Sequence, residues 1–200
     1  MVLDINAGSS SSSPEDLINV NGTLFFAVGS DLWKSNGTTA GTVLVAAGVV
    51  SSTSYFTELN DTLFFQGIDT ELWKSDGTSG GTVLVKDVYS GGSNYGNTMY
   101  LTNMGDSILY FAATTGLAEG LELWKSDGTT AGTSLVKDIY TGAYNASPAN
   151  LLAVNGTLYF SATDGTNGRE LWKSDGTAAG TVIVKDIYTC LLYTSPSPRD

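Results

Sequence analysis

Apolar and polar positions alternate along this chain with a period of two, in short runs closed by turn residues. Leu151-Leu152-Ala153-Val154 leads into Asn155-Gly156 and then Thr157-Leu158-Tyr159-Phe160-Ser161-Ala162. An Asn-Gly pair between two β-prone runs predicts a two-residue hairpin, because both residues accept the positive φ of a type I′ turn. Asn21-Gly22 repeats the signal, and Asn60-Asp61 and Gly105-Asp106 use residues of similar tolerance. One extra residue before Leu109 predicts a bulge or a longer turn in that copy. A third strand follows at 170–174, and the turn Asp175-Gly176-Thr177-Ala178-Ala179-Gly180-Thr181 returns the chain into a fourth at 182–186. No window carries a helical period of 3.6.

The pattern recurs. Leu-Trp-Lys-Ser-Asp/Asn-Gly-Thr starts at Leu32, Leu72, Leu123 and Leu171, each followed by Gly-Thr and a β-branched run. Trp33, Trp73, Trp124 and Trp172 are 40, 51 and 48 residues apart. Four short antiparallel strands in about 40–50 residues is the size of a propeller blade. Runs such as Leu24-Phe25-Phe26 and Leu63-Phe64-Phe65 are apolar on both faces, as stacked sheets require and half-solvated ones do not. The expected fold is therefore all-β and of the β-propeller type. Its four consecutive blades fall at about 17–46, 55–88, 98–139 and 149–188, forming a partial propeller or open arc. The recurring tryptophans are expected to wedge between blades. Val2-Leu3-Asp4-Ile5 aligns with the closing strands at 85–88, 136–139 and 184–187, so residues 2–5 read as a strand left over from a preceding blade. On that reading the repeat region, 1–189, is an internal piece of a longer chain.

Composition narrows the function classes. Hydrophobic residues make up 42% of the 200 residues and charged ones 14%, with 20 acids against 9 bases and a net charge of −11. That balance argues against nucleic acid, whose binding rests on clustered Lys and Arg, and against anionic membrane surfaces. No apolar run approaches the ~18 residues of a membrane span. Histidine is absent and Cys190 is the only cysteine. Disulfides, zinc sites built on Cys or His, and nucleophile–histidine mechanisms are thereby excluded within this stretch.

The Ser-Asp-Gly-Thr turn is the one recurrent motif with chemical potential, through Asp76, Asp127 and Asp175. Calcium needs ~6–8 oxygens, usually with several carboxylates in one loop, whereas each turn supplies one carboxylate and the first copy has Asn36. The expected role is structural, with Asp or Asn accepting backbone N–H groups two residues on and Gly taking the positive φ. No metal site and no cofactor are expected.

Glu-Leu-Trp-Lys-Ser-Asp-Gly-Thr at 71–78 and 170–177, with the Leu-Val-Lys-Asp-Ile type of closing strand, resembles the ELWxxDGT repeat of large bacterial proteins. The resemblance covers almost all of residues 1–189. Asp31 and Asn36 depart from the motif, so the first copy is the most divergent. The resemblance implies an exported, extracellular or cell-surface repeat protein and brings no catalytic residues. From Cys190 onward the chain, Cys-Leu-Leu-Tyr-Thr-Ser-Pro-Ser-Pro-Arg-Asp, resembles an in-frame translation of a sequencing adaptor, and 190–200 is set aside as a non-native tail.

Two classes of function remain. The favoured one is a non-enzymatic scaffold or binding module of a larger secreted or cell-surface protein, an adhesin segment for instance, meeting a glycan or protein. The rest of the same propeller would be its other partner. The alternative is a propeller-type polysaccharide lyase or glycosidase, for which Glu119 and Asp164 are the non-recurring acids. Comparison of the copies places recognition on one face. Loops joining strands one–two and three–four are nearly invariant, whereas loops two–three and four–one vary in length and chemistry. Turns fixed by backbone demand recur, and loops free of it can diverge and carry recognition. Tyr95, Tyr144, Glu119 and Asp164 are the first candidates.

Overall fold

The computed structural model describes residues 1–89, 96–105, 107–116 and 118–187. Among the described residues sixteen strands make four antiparallel sheets, each in sequential order, and there is no helix. The first sheet is β1 (Glu15–Val20), β2 (Thr23–Val28), β3 (Asp31–Ser35) and β4 (Val43–Ala46). The second is β5 (Thr57–Leu59), β6 (Thr62–Gln66), β7 (Leu72–Ser75) and β8 (Val83–Lys86). The third is β9 (Met99–Asn103), β10 (Leu109–Ala113), β11 (Glu122–Ser126) and β12 (Ser134–Lys137). The fourth is β13 (Ala149–Val154), β14 (Thr157–Thr163), β15 (Arg169–Ser174) and β16 (Val182–Lys185). The innermost strands β1, β5, β9 and β13 touch in succession, so the sheets stand side by side as the blades of a propeller-type arc.

The hairpins follow from their turn residues. Asn21 and Gly22, Asn60 and Asp61, and Asn155 and Gly156 all hold positive φ, as a type I′ turn requires. In the third blade Asn103 still pairs with Leu109, so the extra residue lengthens the turn.

A bulge recurs in the closing strand. Leu32 pairs with Ala46 but Trp33 with Leu44, and the other three blades shift register at the same place. The unpaired residue is Val45, Val85, Val136 or Val184. In the first three blades the bulge turns that valine into the core, where it is buried.

The core lies between blades. Val20, Phe25, Leu32 and Val45 of the first blade pack on Leu63, Phe65 and Trp73 of the second. Leu59, Phe64, Leu72 and Val85 meet Leu109, Phe111 and Trp124 of the third. Tyr110, Leu123 and Val136 meet Leu158, Phe160 and Trp172 of the fourth. Each of the first three blades thus turns a front face to its successor, and each of the last three a Trp-bearing back face to its predecessor. Residues 2–5 pair with no strand, since no neighbouring strand stands beside them. They nonetheless lie at the back of the first blade, where the Thr39 hydroxyl donates to the Val2 carbonyl at 2.6 Å. Thr130 makes the same bond to Val85, in the closing strand of its preceding blade, at 2.7 Å.

Candidate functional site

The two ends of the blades differ in how firmly their backbone is prescribed. On the invariant end, the Asp76 carboxylate accepts the Thr78 N–H at 2.8 Å and the Thr78 hydroxyl at 2.7 Å. The Gly81 N–H donates to the Thr78 hydroxyl oxygen, and Thr82 Oγ1 donates to the Thr78 carbonyl. Beneath them Ser75 and Thr82 share a buried hydrogen bond of 2.8 Å. The copies at Asp127 and Asp175 repeat the set, and Asn36 uses its amide oxygen in the same way. The Thr78 hydroxyl and N–H hold the Asp76 carboxyl below its usual range, and Thr129 and Thr177 do so for Asp127 and Asp175. Each carboxylate is committed to its own turn, and no three acidic, His or Cys side chains among the described residues form a metal-binding group.

On the variable end, the glutamate that opens the Glu-Leu-Trp motif is buried beneath the loops. Glu122 accepts the N–H groups of Ile139 at 2.7 Å, Tyr140 at 3.4 Å and Ala146 at 3.0 Å. Glu71 accepts those of Val88 and Tyr89, and Glu170 that of Ile187. Asp31, one carbon shorter, still reaches the corresponding Gly48 N–H at 2.9 Å. Burial pushes the Glu71 carboxyl above its usual range and that of Glu122 to about 7, against the opposing pull of their N–H donors. This anchor was not singled out from the sequence. Its signal was there, since an acid recurs seventeen residues before the residue that it caps.

A second recurring contact sits above the anchor. The Tyr89 ring packs so closely on Gly116 that a Cβ there would lie 2.0 Å from it, and Tyr140 packs on Gly165 in the same way at 2.2 Å. Tyr144 then stacks on Tyr140, with centroids 4.8 Å apart and planes 21° apart, and is 63% exposed.

Three of the four candidate residues gather around this aromatic pair. Gly120, next to Glu119, lies against the Tyr144 carbonyl, and the Leu121 N–H donates to the Asn145 side chain at 2.7 Å. Asp164 precedes the Gly165 on which Tyr140 rests. Tyr95 lies outside the described residues. Glu119 is half-buried and accepts the Thr115 hydroxyl at 3.3 Å. Asp164 caps its own loop, accepting the N–H groups of Thr166 and Asn167, both at 2.9 Å, and the Asn167 side-chain amide at 2.8 Å. Desolvation raises its pKa, but the Asn167 and Thr166 donors outweigh that and hold it below the usual range. Arg169 donates to the Ser147 carbonyl at 3.0 Å and to Ser161, so its guanidinium ties the four–one loop to strand β14.

The same face opens differently between the first two blades. There the two–three loop is only Gly29-Ser30, and a cleft of about 420 Å³ lies among Glu15, Ser30, Ser51, Ser52 and Ile68. The shortness of Gly29-Ser30 was visible in the sequence; the cleft it leaves was not.

No family model matches the chain, and no curated protein matches it. Solved structures do. A computationally designed protein, Ika8, matches with a TM-score of 0.53 at 13% identity over 86% of this chain and 49% of its own. A puromycin hydrolase, crystallised as its S511A mutant, matches with a TM-score of 0.52 at 12% identity over 82% of this chain and 28% of its own. BamB from Moraxella catarrhalis matches at 0.45 and 20% identity, over 74% of this chain and 40% of its own. The chain thus spans about half of the designed protein and less of the others. At these identities the first two likenesses bear on the fold alone.

Proposed function

We propose that this chain is a non-enzymatic scaffold and binding module of a larger bacterial protein, exported to the cell surface or beyond, which meets a glycan or protein on its variable face. The observation that carries the proposal is the exposed Tyr144 ring stacked on Tyr140, above loop ends pinned by the buried Glu122. An aromatic plane held rigid costs little further ordering on binding, and it suits a sugar ring or an apolar side chain. The resemblance to the ELWxxDGT repeat supports export. The enzyme reading draws less support, because glycoside hydrolysis needs two placed carboxylates and Asp164 is engaged by its own loop at both oxygens.

The test is binding of the full chain to panels of neutral and acidic polysaccharides and to bacterial surface extracts. Tyr144→Ala, or exchange of loops 114–120 and 163–169 for Gly-Ser linkers, should lower affinity at least tenfold. Binding retained after both exchanges would refute the assignment, as would sustained turnover of a polysaccharide lost in Glu119→Ala.

A further inference from the structure

We propose that the inner edge of the arc, at the variable end of β5 and β9, is a subsite for a neutral oligosaccharide, with Tyr55 and Tyr100 as its aromatic wall. The inference rests on the reading of the variable face as the binding face, and it adds the place and the ligand class.

A second bulge recurs at the start of every innermost strand. Asp16 and Leu17 stand opposite Phe26 alone, since Glu15 pairs with Ala27 and Ile18 with Phe25. Tyr100 and Leu101 oppose Phe111 in the same way, and Asn150 and Leu151 oppose Phe160. In the second blade the Gln66 N–H donates to the Ser54 carbonyl at 2.7 Å while Thr57 pairs with Phe64, which leaves Tyr55 and Phe56 opposite Phe65. The first bulged residue always has positive φ: 53° at Asp16, 50° at Tyr55, 59° at Tyr100 and 56° at Asn150. Glycine takes that conformation freely, whereas a bulky aromatic there is an outlier. None of the four copies uses glycine, and two use tyrosine. Strain of this kind gathers at binding sites, where a bulge aims a side chain that glycine could not supply. The backbone is constant here and the side chain it presents is not, as at a recognition position.

The fold gathers these positions. β1, β5, β9 and β13 touch in succession and each follows the variable end of the sheet, so the bulges lie at the inner edge of the variable face. The Asp16 carboxylate accepts the hydroxyl of Ser54, the residue before Tyr55. The Tyr55 and Tyr100 rings meet with centroids 5.4 Å apart and planes tilted by 57°. Tyr100 is 36% exposed and Tyr55 half-buried. Neither hydroxyl has a hydrogen-bond partner among the described residues. Burial, and then the nearby Tyr100, push the Tyr55 phenol up, so it stays protonated at neutral pH and can donate. Both tyrosines belong to the second and third blades, each flanked by a blade on either side, so their exposure does not arise at an open end. Glu15, next to Asp16, lines the cleft of about 420 Å³ between the first two blades, and the cleft thus leads to this edge.

A partly exposed ring with hydroxyl and carboxylate groups beside it offers a sugar both an apolar face and hydrogen-bond partners. The charged side chains beside it, Glu15 and Asp16, are acidic, as is the chain as a whole, and both disfavour anionic sugars.

The test is calorimetric titration of the full chain with maltohexaose, cellohexaose, mannohexaose and chitohexaose, beside an alginate hexasaccharide and tetramethylammonium chloride. At least one neutral hexasaccharide should bind, and the alginate should not. Tyr100→Asn removes the ring and suits the positive φ. It should weaken binding about tenfold or more with a melting temperature unchanged or raised. Asn150→Gly, at the equivalent position without a ring, should bind within about twofold of the wild type. A melting temperature lowered by several degrees in Tyr100→Asn would overturn the proposal, by making the ring a packing element. Binding of tetramethylammonium without a sugar would overturn it in favour of a cation site. A neutral sugar lost in Tyr144→Ala and kept in Tyr100→Asn would overturn it too, while leaving the variable face as the binding face. If no neutral hexasaccharide binds, the proposal falls, and binding to surface extracts that the loop exchanges abolish keeps the wider reading standing.

Discussion

The Lys125 ammonium donates to the carbonyl of Gly176, 51 residues further on and in the next blade, at 2.9 Å. This bond and its two counterparts, Lys34 on Gly77 and Lys74 on Gly128, put a charged donor across each blade boundary where the apolar core ends. Lys125→Met keeps the stem and removes the donor, leaving a buried carbonyl without its partner. Loss of such a bond costs about 1–3 kcal/mol, and urea unfolding should show it as a lower midpoint at unchanged slope. Lys173→Met, on a lysine with no hydrogen-bond or ion-pair partner among the described residues, should move the midpoint by less than about 0.5 kcal/mol.

The invariant turn separates two glycines of the same type. A Cβ on Gly132 would lie 2.0 Å from the Asp127 carboxylate, which cannot swing away without releasing Thr129, whereas one on Gly80 would meet nothing within 4 Å. Gly132→Ala should therefore destabilise by roughly 1–3 kcal/mol and Gly80→Ala by less than about 0.5 kcal/mol. Thermal unfolding of the two variants beside the wild type reads the difference.

Acidity should act in two opposite windows. The folded Glu122 carboxyl holds its proton up to about pH 7, whereas its unfolded reference releases it near 4.5. The folded state therefore binds more protons between those values, and this group's contribution to stability falls as pH rises from 4.5 to 7. Asp76, Asp127, Asp164 and Asp175 are shifted the other way, so their contribution is present above their usual 3.8 and is lost as pH falls below it. Urea midpoints across pH 3–8 should peak near pH 4.5–5.5. Glu122→Gln should flatten the limb above pH 5 and leave the acid limb in place.

Asp164 was a candidate for recognition, and its hydrogen bonds make it a loop cap. Asp164→Ala should lower stability by about 1 kcal/mol, in line with lost caps elsewhere. Asp164→Asn keeps an acceptor for the Thr166 and Asn167 N–H groups and should recover most of that loss. A ligand contact made by the carboxylate itself would show instead as binding that Asn fails to rescue.

The blades were legible because their determinants are local. Asn-Gly dictates the hairpin, period-two runs dictate the strands, and the recurring tryptophan marks the third strand of each copy. The bulge opposite Trp33, Trp73, Trp124 and Trp172 was not legible, since the Val-Leu-Val run there reads as ordinary alternation. The site was legible only as a face. Residues such as Glu119 and Asp164 stood out because they do not recur, yet the contacts that shape the face do recur: Glu122 under its loop, and Tyr140 on Gly165. These join residues 17 to 25 positions apart, across loops of differing length, where no dipeptide signal reaches. The strand expected at 2–5 shows the same limit: a ladder needs a partner strand, and none among the described residues pairs with it.

One carboxylate, Glu122, holds the backbone at both Tyr140 and Ala146, the two roots of the four–one loop. The residues between them share the closing of the loop with that carboxylate, through the bonds of Gly142 to Asp138 and Gly120 and of Asn145 to Leu121. Side chains at 141, 143 and 144 can be exchanged with the roots staying where they are. The variable face is in that sense a display surface, and a library at 141, 143 and 144 would present foreign side chains at a fixed spacing above a rigid frame.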